Sequence, residues 1–170
     1  MAMQWAVFAV STVCISGDSI FISASYGTGG TLLRFKEGAP EKIWSGDGAM
    51  SCHYATPVLH DGFLYGFDGR ADPGLQAESS FRCVELKTGK VRWSEPGLKA
   101  GTVMLANDQL FILTEKGELL RAPASPEGLK ISERAQVLPF IVRAHPALAD
   151  GLFYARSKDK LVCLDLRKPR

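Results

Sequence analysis

Apolar residues along this chain come in short runs broken by Gly, Asp, Asn and Pro. No window holds a 3.6-residue period for the roughly 10–12 residues that a helix needs. One phrase recurs four times, an apolar run, a turn built on Asp and a second apolar run: TVCISGDSIFIS, TPVLHDGFLYG, TVMLANDQLFIL and HPALADGLFYA. Anchored on Asp18, Asp61, Asp108 and Asp150, the copies are 43, 47 and 42 residues apart. Thr12 and Thr102 then share a column, as do Ile20, Phe63, Leu110 and Leu152, and Ile22, Tyr65, Ile112 and Tyr154.

A third run follows in each copy, TLLRFKEG, FRCVELKTG, GELLRAPA and KLVCLDLRK, which places Cys83 on Cys163 and Leu86 on Leu166. A fourth run, EKIWS and KVRWS, places Trp44 on Trp93; the third copy has KISERAQVL there, without a Trp. Asp61-Gly62 and Asp150-Gly151 are two-residue hairpin signals, because Gly tolerates positive φ. Four short antiparallel strands in a repeat of about 40 residues is the spacing of a β-propeller blade. The pattern therefore predicts an all-β chain, a single domain of four four-stranded blades covering about 10–54, 55–101, 102–143 and 144–170. The last copy ends after its third run, and the opening Ala2-Met3-Gln4-Trp5 resembles the missing Trp-ending strand. Residues 1–9 are thus expected to close a ring, with Trp5 beside Leu164.

The phrase Leu86-Lys87-Thr88-Gly89-Lys90-Val91-Arg92-Trp93, after Phe81-Arg82-Cys83-Val84-Glu85, resembles the repeat of the pyrroloquinoline-quinone (PQQ)-type propellers, and Leu161 to Leu166 repeats its start. The resemblance covers essentially the whole chain. It implies that Trp44 and Trp93 dock between neighbouring blades, and that the blades suit rings of eight. Four would then make half a ring, and the partner expected is a second copy in a homodimer, with another protein as a further partner. The family holds quinoprotein dehydrogenases, which bind PQQ and calcium in the channel, and non-enzymatic scaffolds such as the periplasmic lipoprotein of the outer-membrane barrel-assembly machinery. This chain has no adjacent Cys-Cys pair, and no Glu, Asn and Asp set for calcium can be placed. The resemblance therefore implies a non-catalytic scaffold or binding module with no cofactor; the alternative is an enzyme related to the PQQ-dependent dehydrogenases, with PQQ and calcium. A bacterial periplasmic or extracellular location is implied as well.

Charge changes this picture little. The chain has 170 residues with 20 Lys+Arg against 18 Asp+Glu, net +2, and no basic run beyond Arg167-Lys168-Pro169-Arg170. No footprint for nucleic acid or an anionic membrane is visible. Trp5 to Ile15 is apolar but too short to span a bilayer, which takes about 20 residues. It has no preceding Lys or Arg and no cleavage pattern, so it reads as mature, mostly buried strand with no signal peptide in this chain. A core of this size needs no staples, so Cys14, Cys52, Cys83 and Cys163 are expected as free thiols, Cys83 and Cys163 buried in apolar strands.

Candidate chemistry is sparse. Gly27-Thr28-Gly29-Gly30 lacks the helix a phosphate loop needs and reads as a hairpin loop. Asp68 to Gly74 lacks the ligand set of a calcium loop and reads as a polar insertion. His60 precedes a hairpin Asp and is expected in an exposed turn. His53 and His145 precede the first strand of a unit, and in a propeller the innermost strand lines the channel. With Tyr54 and Arg143 they form the one polar–aromatic group expected at the channel mouth as ligand contacts. No catalytic residue and no metal ligand is assigned.

Overall fold

The computed structural model describes residues 10–70 and 79–167. The four units become four antiparallel sheets, each a simple meander. The first holds β1 (Val10–Ser16), β2 (Ser19–Ala24), β3 (Gly29–Lys36) and β4 (Ala39–Gly46). The second holds β5 (Val58–His60), β6 (Phe63–Asp68), β7 (Ser80–Glu85) and β8 (Val91–Glu95), and the third β9 (Gly101–Ala106), β10 (Gln109–Thr114), β11 (Glu118–Pro123) and β12 (Glu133–Gln136). The fourth has β13 (Ala147–Ala149), β14 (Leu152–Arg156) and β15 (Leu161–Asp165), and β15 is its edge among the described residues. No α-helix occurs among the described residues, only a single 3-10 turn at Pro96–Leu98. These sheets are blades of a β-propeller, with the fourth holding three described strands where four were expected. Trp5 lies outside the described residues, as do Ala71 and the following residues of the expected insertion loop up to 78.

The hairpin turns correct the alignment of the first two runs. The paired residues Ser16↔Ser19, His60↔Phe63, Ala106↔Gln109 and Ala149↔Leu152 enclose Gly17-Asp18, Asp61-Gly62, Asn107-Asp108 and Asp150-Gly151. Asp is therefore the first turn residue in the second and fourth units but the second in the other two. In the first turn only Gly17 has positive φ, the pattern of a type II′ turn, whereas both residues do in the others, as in type I′. Anchoring on Asp slips the first and third units by one residue, which exchanges their two faces. Equivalent positions are Phe21, Tyr65, Phe111 and Tyr154, of which the first three face the following sheet, and Ile20, Leu64, Leu110 and Phe153, of which the last three face the preceding one.

Three apolar clusters join consecutive sheets. Phe21 and Leu32 meet Leu64 and Val84 across the first junction. Tyr65, Phe81 and Cys83 meet Leu110, Ile112 and Leu120 across the second. Leu113 and Leu119 meet Phe153 and Ala155 across the third. Adjacent residues such as Leu64 and Tyr65 thus enter different cores, the period-2 logic of a strand buried on both faces. Trp44 and Trp93 each stand at a bulge, opposite Leu32 and Cys83. Their indole N–H groups donate to the carbonyls of Leu86 and Ser125 in the following unit, at 2.8 and 2.9 Å.

The flanks are different. Ile15 and Phe35 are exposed, and Ile20, Ile22 and Leu33 are only half-buried and in none of the three clusters. Strand burial read for the run ending at Ile15 does not extend to that residue, which is 69% exposed because no sheet among the described residues covers its face. On the fourth sheet Tyr154 and Leu161 are exposed, while Leu164 turns inward to the third cluster. All four cysteines are free thiols. Cys163 is exposed where a buried thiol was expected, since its side of β15 has no neighbouring blade among the described residues.

Candidate functional site

The turns between the second and third strands and the connections between sheets share one end of the meanders. A row of polar and aromatic side chains forms there. It is built on the connection from β4 to β5, which buried polar groups hold in place. Ser23 donates its hydroxyl to the Met50 carbonyl (2.8 Å) and accepts the Cys52 amide (2.9 Å). Asp68 accepts the Ser51 amide at 2.7 Å and pairs with Arg82 at 2.9 Å, and Arg82 donates on to the carbonyls of Gly48 and Ala49. Burial nevertheless raises the Asp68 carboxyl above its usual range; the Ser51 amide and then Arg82 pull the other way. Gly30 is needed where the chain passes Phe21, because a Cβ would stand 2.7 Å from that ring.

On this support His53 and Tyr54 project at the rim. Tyr26, in the β2–β3 turn, lies 3.0 Å from His53 Nε2 through its hydroxyl, and Arg70 stacks over the Tyr26 ring at 4.2 Å. His53 meets Tyr54 edge-on, with centroids 5.9 Å apart. The Tyr54 hydroxyl donates to Glu115 Oε1 at 3.1 Å, and Arg143 Nε donates to the same oxygen at 2.6 Å. Arg143 also lies 5.7 Å from the centre of the Tyr54 ring. Desolvation first, and the Glu115 charge second, push the Tyr54 phenol well above its normal range, so it stays a proton donor rather than a base.

His53, Tyr54 and Arg143 therefore come together. His145 does not join them in any described contact; it is exposed, with Nδ1 3.0 Å from the Pro146 carbonyl. The sequence reading missed Tyr26, Arg70 and Glu115. All three sit between the second and third strands of a sheet, and the repeat topology alone puts those connections beside the inter-sheet ones. His60 is not an exposed turn residue. Its side chain is 19% exposed, with Nε2 3.5 Å from Asp61 and 3.7 Å from Asp108 in the turn of the next sheet. The glycine segment at 27–30 is the β2–β3 hairpin.

A recess bordering His53, Tyr54 and Arg70 has a volume of about 10 Å³, room for one water. The rim presents aromatic faces, guanidinium groups and one shared carboxylate. Among the described residues no group of three or more His, Cys, Asp or Glu could share a metal ion.

No family model and no curated protein matches the chain. Solved structures do. BamB from Moraxella catarrhalis is similar over 90% of this chain and 41% of its own, with TM-score 0.63 and 13% identity. The computationally designed Ika4 protein is similar over 98% of this chain and 96% of its own, with TM-score 0.64 and 11% identity. A mutant of the GH43 protein BlXynB from Bacillus licheniformis is similar over 87% of this chain and 36% of its own, with TM-score 0.52 and 14% identity. The chain spans about two fifths of the BamB chain. At these identities the likeness is one of fold, and the fold is that of a β-propeller. No helix among the described residues is long and apolar enough to cross a membrane.

Proposed function

We propose that this chain is a non-catalytic propeller module that pairs with a second copy to complete an eight-bladed ring and uses its rim for recognition. The observation that carries this reading is the pair of unmatched flanks. The first sheet presents Ile15, Ile20, Ile22, Leu33 and Phe35, and the fourth presents Tyr154 and Leu161, whereas every face between them is packed into a cluster. Contiguous apolar surface of this kind marks an interface. A two-fold axis sets the first sheet of each copy against the fourth sheet of the other and leaves no flank open.

Among the described residues β15 is the edge of its sheet, which supports an exchange of strands. Met3-Gln4-Trp5 of one copy would pair with β15 of the other, next to Leu164, and supply the fourth strand of that blade. Trp44 and Trp93 would act as blade-docking residues, as their bonds to the following unit suggest. The recognition role falls to His53, Tyr54 and Arg143 with Tyr26 and Glu115, whose ionisable groups are engaged with one another rather than arranged around a nucleophile. The BamB likeness favours a bacterial envelope setting.

Leu161→Asp tests the reading, because it places a charge on the exposed flank and leaves the three clusters untouched. The variant is expected to keep the β circular-dichroism signal and to lose the dimer. A variant that stays dimeric would exclude this flank as the interface. Removing residues 1–5 should weaken the dimer, and an unchanged dimer would exclude strand exchange.

A further inference from the structure

The four sheets are not four equal copies; they alternate. Asp18 and Asp108 are the second residues of their turns and lie 90 residues apart, while Asp61 and Asp150 are the first and lie 89 apart. The first and third sheets share Thr12-Val13 with Thr102-Val103, and Phe21 with Phe111, in one register. The second and fourth share a cross-strand pair, Tyr65 with Cys83 and Tyr154 with Cys163. The repeating module is therefore a pair of sheets, present twice.

The first and third junctions lie inside a module, and the second joins one module to the next. There Tyr65, Phe81 and Cys83 of the second sheet meet Leu110, Ile112 and Leu120 of the third, all six at or below 1% exposure. The same two faces occur once more, unpacked. On the fourth sheet the counterparts are Tyr154, Leu161 and Cys163, all exposed. On the first they are Ile20, Ile22 and Thr31, all half-buried. The chain thus carries, on its first and last sheets, both halves of a junction that it already builds once between its modules.

We infer that contact between two copies reproduces the second junction, with Tyr154 and Cys163 of one copy over Ile20 and Ile22 of the other. This rests on the ring reading and adds the register, which side chain stands over which. The copy is weaker than its template. Phe67 and Phe81, with centroids 5.0 Å apart, are replaced by the cross-strand pair Arg156 and Leu161. Trp93, 6.0 Å from Tyr65, has no counterpart among the described residues of the fourth sheet. A contact that buries less aromatic surface parts more readily, so copies exchange while the second junction holds.

The test uses Tyr154→Lys and Ile22→Asp, each on an open flank and outside the three clusters. Both variants are expected to keep the β circular-dichroism signal and to run as monomers of 18.5 kDa in light scattering. Each places an unpaired charge in both junctions of its own dimer. Mixed one to one, the two should associate again, because one of the two junctions then holds neither charge. The double variant in one chain should dimerise as well, since every Lys then faces an Asp, and salt should weaken its dimer but not the parent's. A mixture that stays monomeric would mean that like flanks pair, and would overturn the module copy. A double variant that stays monomeric while the mixture associates would overturn the register and leave the ring reading standing. A parent chain that is itself monomeric would remove the ring reading and the inference with it.

Discussion

Strands β7 and β15 occupy the same place in two repeats, FRCVEL and LVCLDL, yet they sit in opposite surroundings. Cys83 is fully buried between the second and third sheets, and desolvation pushes its thiol up to about 11. Cys163, its counterpart, is exposed. Both strands alternate side chains in the same way, so the strand itself does not decide burial. The second sheet has a neighbour on each side and contributes to two clusters; the fourth contributes to one. In a repeat architecture each unit is completed by its neighbours, and a terminal unit carries the same apolar pattern with nothing against it.

The largest expected effect lies on the well-packed side. Trp93→Ala should cost about 3–5 kcal/mol in a denaturant melt, through loss of a large aromatic from the second junction. A loss under about 1 kcal/mol would show that the indole does not hold the two sheets together.

Thiol labelling reads the contrast directly. With a maleimide followed by peptide mass spectrometry, Cys83 and Cys52 should stay unlabelled until the protein unfolds, since both are buried. Cys163 should label rapidly in dilute protein and more slowly as concentration rises, because pairing of the flanks covers it. Equal labelling of Cys83 and Cys163 would break the comparison. A Cys163 rate independent of concentration would remove the covered flank from it.

The smallest effect belongs to Asp165 at the end of β15. Side-chain and then backbone hydrogen bonds from Arg167 hold its carboxyl down at about 2, from an ordinary 3.8. A depressed folded pKa contributes stability that is present above the unfolded value and lost as pH falls through the folded one. Asp165→Asn should therefore match the parent chain below about pH 2, diverge from it between about pH 2 and pH 4 and differ by a constant, slight amount above that, because the pair is exposed. A difference that grew toward low pH would mean the pair is not formed.

Repeat length, hairpin turns and the Trp-ending strand made the architecture legible from sequence, because each rests on local chemistry such as Asp61-Gly62 or the register shared by Trp44 and Trp93. The face of each residue was harder to read. Asp fits either position of a two-residue turn, so Asp18 and Asp108 gave a register one residue from that of Asp61 and Asp150. The exposure of Cys163 was not legible either, since it depends on which blade comes next. At the rim, His53, Tyr54 and Arg143 could be grouped from their places before first strands. Glu115 could not, because its role arises only where two turns from different sheets meet. His145 also precedes a first strand, but it stands in the repeat where Thr56 stands, three residues past the place of His53, and its ring lies against the Pro146 carbonyl.

Whether two half-rings meet at their flanks is tested most directly by multi-angle light scattering on the intact chain at micromolar concentration. A mass near twice 18.5 kDa, falling toward 18.5 kDa on dilution or with Leu161→Asp, is the expected result. A mass of 18.5 kDa at every concentration would contradict it.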